Sequence, residues 1–257
     1  MTLILIILIL GTILISWLYL RKKDKTKPAS QYPNKNYSLL LKEHVDFYAR
    51  LGPPEKVRFE KLIQEFLQDT TIEGVGTEIT DLDRVLIASS AVIPIFGFGD
   101  WKYENLTNVI LYPNTFDQDF QFEGENRSIL GMVGLGYMNG QMLLSRAALI
   151  KGFSTSSGKE NAAIHEFVHL LDKSDGATDG IPENLMSHEY AVPWLKMMHQ
   201  EMHRIEAGKS DINPYALTND AEFLAVAAEY FFGEPKKFQH MHPELYLQLT
   251  QIFKQKI

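Results

Sequence analysis

The feature that most constrains this chain is the run Ala162-Ala163-Ile164-His165-Glu166-Phe167-Val168-His169-Leu170-Leu171-Asp172. On a helix turning about 100° per residue, its two histidines fall about 40° apart, one turn from each other on one face. Ile164, Val168 and Leu171 form a neighbouring apolar stripe that would seat the helix in the core. Two neutral imidazoles so placed can grip one Zn²⁺ and leave room for a third ligand and a water. Glu166 falls about 80° from the centre of the pair, where it reaches a metal-bound water rather than the metal. Asp172 falls about 40° from that centre, one turn beyond His169, and is placed to accept a hydrogen bond from a ligand imidazole.

A third ligand is needed, and Asn219-Asp220-Ala221-Glu222-Phe223-Leu224-Ala225-Val226-Ala227-Ala228-Glu229-Tyr230 reads as a capped helix that offers two. Glu222 and Glu229 share a face with Ala225 and Val226. Carboxylates on such an apolar face are costly to bury unpaired, so each wants a strong partner. Zinc is one such partner and an arginine or lysine is another; spacing does not choose between them. Tyr215, in the loop Asn213-Pro214-Tyr215, could donate a hydrogen bond to the oxyanion of a tetrahedral intermediate. His199 and His203 are also four apart, but Glu201 between them points about 180° away from their centre. That pair reads as a solvated face.

Elsewhere the pattern is helical at both ends. Leu40, Leu41, Val45, Phe47, Tyr48 and Leu51 predict a helix from Tyr37 to Leu51, stopped by Gly52-Pro53-Pro54, and a second helix follows to about Asp69. Thr80 reads as the N-cap of a third helix through Val85 to Ile93, apolar nearly all round and hence central and buried. Val109 to Tyr112 reads as a strand, and Asn139-Gly140 as the turn of a hairpin. A last helix is expected after Pro243. The class is α+β, helix-dominated, with a small central sheet.

Thr2 to Leu20 carries no charge and would span about 28 Å as a helix, close to the ~30 Å hydrocarbon core. No lysine or arginine precedes it, the run is long, and no clean cleavage site follows, so it reads as a retained transmembrane helix rather than a signal peptide. Residues 21–36 are a basic juxtamembrane linker whose first part, Arg21-Lys22-Lys23-Asp24-Lys25-Thr26-Lys27, places residues 37–257 on the cytoplasmic side of a single-pass membrane protein. The chain's net charge is −7, and since residues 21–27 sum to +4 the rest sums to −11. So acidic a body repels phosphate backbones, which argues against nucleic acid as a partner. The chain has no cysteine, which excludes disulfides, thiolate metal sites and cysteine nucleophiles.

From about residue 37 to 250 the chain resembles the Mlc-titration-factor-A family of metallopeptidases. The resemblance is carried by Ile79-Thr80-Asp81, Arg84 to Ala88, Val109 to Pro113, Gly158 and Asn161 leading into HEFVHLLD, Asp175-Gly176, Asp179 to Pro182, and Ala221-Glu222-Phe223 with Glu229 to Phe232. The catalytic domain of anthrax lethal factor is more distantly similar. The resemblance implies a gluzincin-like zinc metallopeptidase domain that hydrolyses peptide bonds. It implies His165, His169 and Glu222 as zinc ligands, Glu166 as general base and Tyr215 as transition-state stabiliser, with Glu229 behind the ligands. It also points to a transcriptional regulator as partner, and so to a rival reading in which the chain sequesters a regulator. Arg146 stands where the family tends to have tryptophan, which predicts an altered substrate edge. The stretch Met142 to Ile150 is expected to be a strand that binds peptide by β-augmentation.

Overall fold

The computed structural model describes residues 35–125, 127–134, 136–154, 158–186 and 188–257. The expected membrane helix at 2–20, and the linker as far as residue 34, lie outside the described residues. Among the described residues no helix is long and apolar enough to cross a membrane.

The described chain opens with α1 (Ser38–His44) and α2 (Asp46–Arg50), where one continuous helix was expected. The break is at Val45, whose extended backbone (φ −124°, ψ 92°) ends one helix and starts the next while its side chain stays buried. α3 (Pro53–Asp69) begins where the Gly-Pro-Pro signal places it, with prolines whose missing N–H costs nothing in a first turn. β1 (Thr71–Gly74) follows, and then α4 (Asp81–Ile95). Thr80 caps α4 as expected: its hydroxyl accepts from Asp83 N–H, and Asp83 accepts from Thr80 N–H at 2.8 Å. From Val85 to Ile95 every residue of α4 is buried, so it is the central helix, with α3 against it.

The sheet contains β1, β2 (Asn108–Tyr112), β3 (Gly131–Val133) and β4 (Gln141–Ser145) in the order β1-β2-β4-β3. β1, β2 and β4 run parallel, with Val109 opposite Met142 and Leu111 opposite Leu144. Val109, Leu111, Met142, Leu143 and Leu144 are all buried, the near-continuous apolar pattern of strands covered on both faces. β3 returns antiparallel along β4 as an edge, joined to it by a loop that ends in the expected Asn139-Gly140 turn. The expected strand over Met142 to Ile150 is therefore corrected. It ends at Ser145, whose hydroxyl caps α5 (Arg146–Gly152), and β4 already has neighbours on both sides. No peptide can add to it.

The remaining elements are helical: α6 (Ala162–Asp172), α7 (His188–Glu206), a short 3-10 turn (Pro214–Leu217), α8 (Asp220–Gly233), α9 (Pro235–Met241) and α10 (Pro243–Phe253). α6 lies between α4 on one side and α8 on another, with β3 beside it. Gly180 holds the loop after α6 in place: it has φ +78°, its N–H donates to Asp172 Oδ2 at 2.8 Å, and Trp194 donates to its carbonyl at 2.7 Å. A Cβ there would lie 2.3 Å from the Asp220 carbonyl oxygen, so only glycine fits against the start of α8.

Candidate metal centre

α6 is set by its own sequence. Asn161 caps it, accepting from Ile164 N–H at 3.1 Å, and the stripe of Ile164, Val168 and Leu171 is buried as expected. That orientation turns His165 and His169 toward α8, whose cap Asn219 accepts from Glu222 N–H at 2.9 Å. The two helices bring two histidines four residues apart together with a glutamate 57 residues beyond the first of them. His165 Nε2 is 3.0 Å from His169 Nε2 and 2.9 Å from Glu222 Oε2, and His169 Nε2 is 3.4 Å from the same oxygen. A small ion held tetrahedrally by nitrogen and oxygen at about 2.0 to 2.2 Å needs those atoms about 3.3 to 3.6 Å apart. The observed triangle is within a few tenths of an ångström of one face of that tetrahedron. Three lone-pair donors converging so closely repel one another unless a cation lies among them, so the donor set fits a metal ion.

The structure separates the two glutamates that spacing could not. Glu222 faces Nε2 of His165, while Glu229, two turns on, takes the other ring nitrogen, Nδ1, at 2.7 Å. Glu229 is itself held by the N–H of Asn161, 2.5 Å from its Oε2. The residue that caps α6 thus also orients the carboxylate that fixes the ring of His165. Burial pushes the His165 imidazole down, but hydrogen bonds to Glu222 and Glu229 outweigh it and carry the group up to about 10. Burial likewise raises Glu222, but hydrogen bonds from His165 and His169 hold it down to about 2. Both directions describe a site that demands positive charge between its carboxylates.

Glu166 is buried at the edge of the cluster, beneath the edge strand β3. A Cβ on Gly131 would lie 2.7 Å from Glu166 Cγ, so a missing side chain lets the strand approach the carboxylate. Burial raises the Glu166 pKa, against the pull of His165 and His169. Tyr215 stands in the 3-10 turn with its ring centroid 6.0 Å from that of His165 and its side chain half-exposed. Asn213 Oδ1 accepts from Tyr215 N–H at 3.0 Å and fixes the turn. Burial, with the charges of Glu222, Glu166 and Glu229, raises the phenol, which therefore stays a donor.

Asp172 Oδ2 accepts from Gly180 N–H at 2.8 Å, while its Oδ1 and His169 Nδ1 are both buried without a hydrogen-bond partner among the described residues. Arg146, expected at a substrate edge, is engaged within the domain. Its guanidinium holds both oxygens of buried Asp83, at 2.9 and 2.6 Å, and also bonds Thr77 and the Glu78 carbonyl, pinning α5 to the start of α4. The second histidine pair behaves as expected. His199 and His203 are exposed, while Glu201 turns inward and is buried. Sequence reasoning gave no role to Gly131 or to the backbone of Asn161. A glycine inside a three-residue strand is a signal for the first; nothing in the residue type signals the second.

Among the described residues, His165, His169 and Glu222 form a group whose ligand atoms all lie within 4.8 Å of one another. A helix with two facing histidines, an acidic second helix and a small mixed sheet beside them define a metallopeptidase-like domain. The chain belongs to the family described as glucose-regulated metallo-peptidase M90, whose model matches residues 18–254. It is 28% identical to the Synechocystis sp. protein named "Uncharacterized protein slr2042", over 98% of this chain and 96% of that one. It is also 28% identical to proteins named "Mlc titration factor A" from Klebsiella pneumoniae, over 80% of this chain and 82% of the relative, and from Salmonella agona, over 82% and 83%. Family membership implies a metal ion, and the donor set above is one that fits it.

Proposed function

We propose that the chain is a membrane-anchored, zinc-dependent peptidase with its catalytic domain on the cytoplasmic side. The observation that carries the reading is the convergence of His165, His169 and Glu222 beside a buried Glu166. Two imidazoles and one carboxylate are a donor set that suits zinc, and a three-residue set leaves the fourth position for water, as catalytic sites do. Bound there, zinc would polarise the scissile carbonyl and acidify its water. Glu166 takes a proton from the water as its oxygen joins the carbonyl carbon, and later hands that proton to the leaving amine as the C–N bond breaks. Tyr215 donates its phenolic hydrogen to the oxyanion. Glu229 keeps His165 in the tautomer that presents Nε2. The free edge of β3, beside Glu166, is where an extended peptide would pair. The apolar run at 2–20 and its basic flank support the anchor.

Replacing Glu166 by Gln is expected to abolish hydrolysis of a peptide library while one equivalent of zinc remains bound by metal analysis. Retained turnover would reject the mechanism. The name titration factor, carried by two of the relatives, supports a second reading, in which the domain titrates a regulatory protein. Under it, wild type and the Glu166→Gln variant would capture a partner equally well and neither would cleave any peptide.

A further inference from the structure

Three consecutive residues before α6 each hold a different part of the molecule. The N–H of Asn161 holds Glu229, which takes Nδ1 of His165, and the Asn161 side chain caps α6. Lys159 and Glu160 reach instead to the loop that carries Tyr215. The Lys159 ammonium donates to the Asp211 carbonyl and, at 2.8 Å, to Asp211 Oδ2, and it lies 4.4 Å from the centre of the Tyr230 ring. Glu160 Oε1 accepts from Asn213 Nδ2 at 3.2 Å, while Lys151 stands 3.4 Å from the other oxygen. Asn213 in turn accepts from Tyr215 N–H, and the Tyr215 carbonyl accepts from the Thr218 hydroxyl at 2.8 Å. Among the described residues these hydrogen bonds all reach the main chain of Tyr215, so its phenol goes where the turn goes.

We propose that Lys159 and Glu160 are positioning residues for the oxyanion donor: by gripping Asp211 and Asn213 they fix the spacing between the Tyr215 turn and the helix of His165 and His169. The proposal rests on the peptidase reading and deepens it, because it assigns that spacing to two residues outside the ligand set. Both grips come from the residues immediately before the cap of α6, so the loop is tied to the same short segment that orients His165. They fall two residues apart on the loop and are of opposite sense, a cation on oxygen acceptors and a carboxylate on an amide donor. Two such ties resist sliding as well as separation. Ile212 and Ala216 are buried and also seat the loop, so loss of the grips displaces the phenol without unfolding the turn. A small displacement takes the phenol out of hydrogen-bond reach of the oxyanion, which lowers turnover and leaves ground-state binding alone.

The test uses the full chain. Lys159→Met combined with Glu160→Ala is compared with the conservative pair Lys159→Arg and Glu160→Gln, which keeps a donor for Asp211 and an acceptor for Asn213. The first pair is expected to lower kcat by about tenfold, on the peptide cleaved fastest in a library, at unchanged KM and zinc content. The conservative pair should recover most of that loss, and the first pair should cost nothing further in a Tyr215→Phe background. A second readout needs neither metal nor turnover. With 3-fluorotyrosine placed at position 215, the fluorine resonance should shift in the first pair and stay in place in the conservative one. The same tenfold loss in the Tyr215→Phe background, a loss of zinc, or a resonance that the first pair does not move overturns the positioning role and leaves the peptidase reading intact. A wild-type chain that cleaves no peptide of the library rejects the peptidase reading, and the catalytic role proposed for the two residues with it.

Discussion

Among the described residues two buried histidines are each set between two carboxylates, and they have opposite fates. His165 lies between Glu222 and Glu229, at 2.9 and 2.7 Å. His242 lies between Asp211 and Glu201, at 2.7 and 3.2 Å. At His242 cationic side chains stand among the carboxylates, although His242 Nδ1 and Glu201 Oε1, 3.2 Å apart, are not hydrogen-bonded. Asp211 also accepts from Lys159 and from the Tyr230 hydroxyl, each at 2.8 Å, and Arg204 stands 3.6 Å from Glu201. That cluster ties the loop before α6 to α7, α8 and the junction of α9 and α10. At His165 a second imidazole arrives at the same point as the first carboxylate, and among the described residues the ion pairs of Glu222 and Glu229 are with histidines alone. A histidine between acids is therefore not what marks a metal centre. Convergence of lone pairs on one point is.

That contrast can be broken most severely at Glu222. Glu222→Ala is expected to lose the metal and at least about 10³-fold in kcat/KM, measured by metal analysis and peptide hydrolysis. A variant that keeps both would move the third ligand elsewhere. Tyr215→Phe should keep the metal and lower kcat by about 10²-fold with little change in KM, the outcome its proposed role as oxyanion donor requires. Glu229→Gln is expected to weaken metal affinity by about 10- to 100-fold in a chelator competition, because it leaves the ligand ring unoriented. Asp211→Asn should do neither; it is expected to cost about 1 to 2 kcal/mol of unfolding free energy at unchanged kcat and metal content.

The same variant sharpens the comparison through pH. Burial lowers His242, but Glu201 and Asp211 outweigh it and raise the imidazole above its ordinary value near 6.5. A raised imidazole contributes stability that is full below the ordinary value and is lost as pH rises through the elevated one. Burial raises Asp211, but Lys159, His242 and Tyr230 hold it well below the usual carboxylate range, so its share is lost as pH falls. Thermal stability should thus fall on both sides of a mid-range maximum in wild type, and the profile of Asp211→Asn should be flatter. Parallel profiles would deny the cluster its electrostatic role.

What the sequence made legible was local and periodic. The helix of His165 and His169, the caps at Thr80 and Asn219 and the buried α4 each follow from spacing and capping chemistry within a dozen residues or so. β1 and β3 were not legible: four and three residues, each containing a glycine, are too short to show a period of two. The break at Val45 escaped because an apolar residue at helical spacing says nothing of its own backbone. Arg146 and Asp172 show a further limit of reading a side chain along its own element: Asp83 and Gly180, 63 and 8 residues away, are what they touch.

The nudity of Gly131 has one more implication. The gap between the strand and Glu166 is set by an atom that is not there, so the smallest possible enlargement, a single methyl, must displace either the strand or the base. All three atoms such a methyl would meet belong to the Glu166 side chain, so the position of that carboxylate answers to a residue that has no side chain of its own.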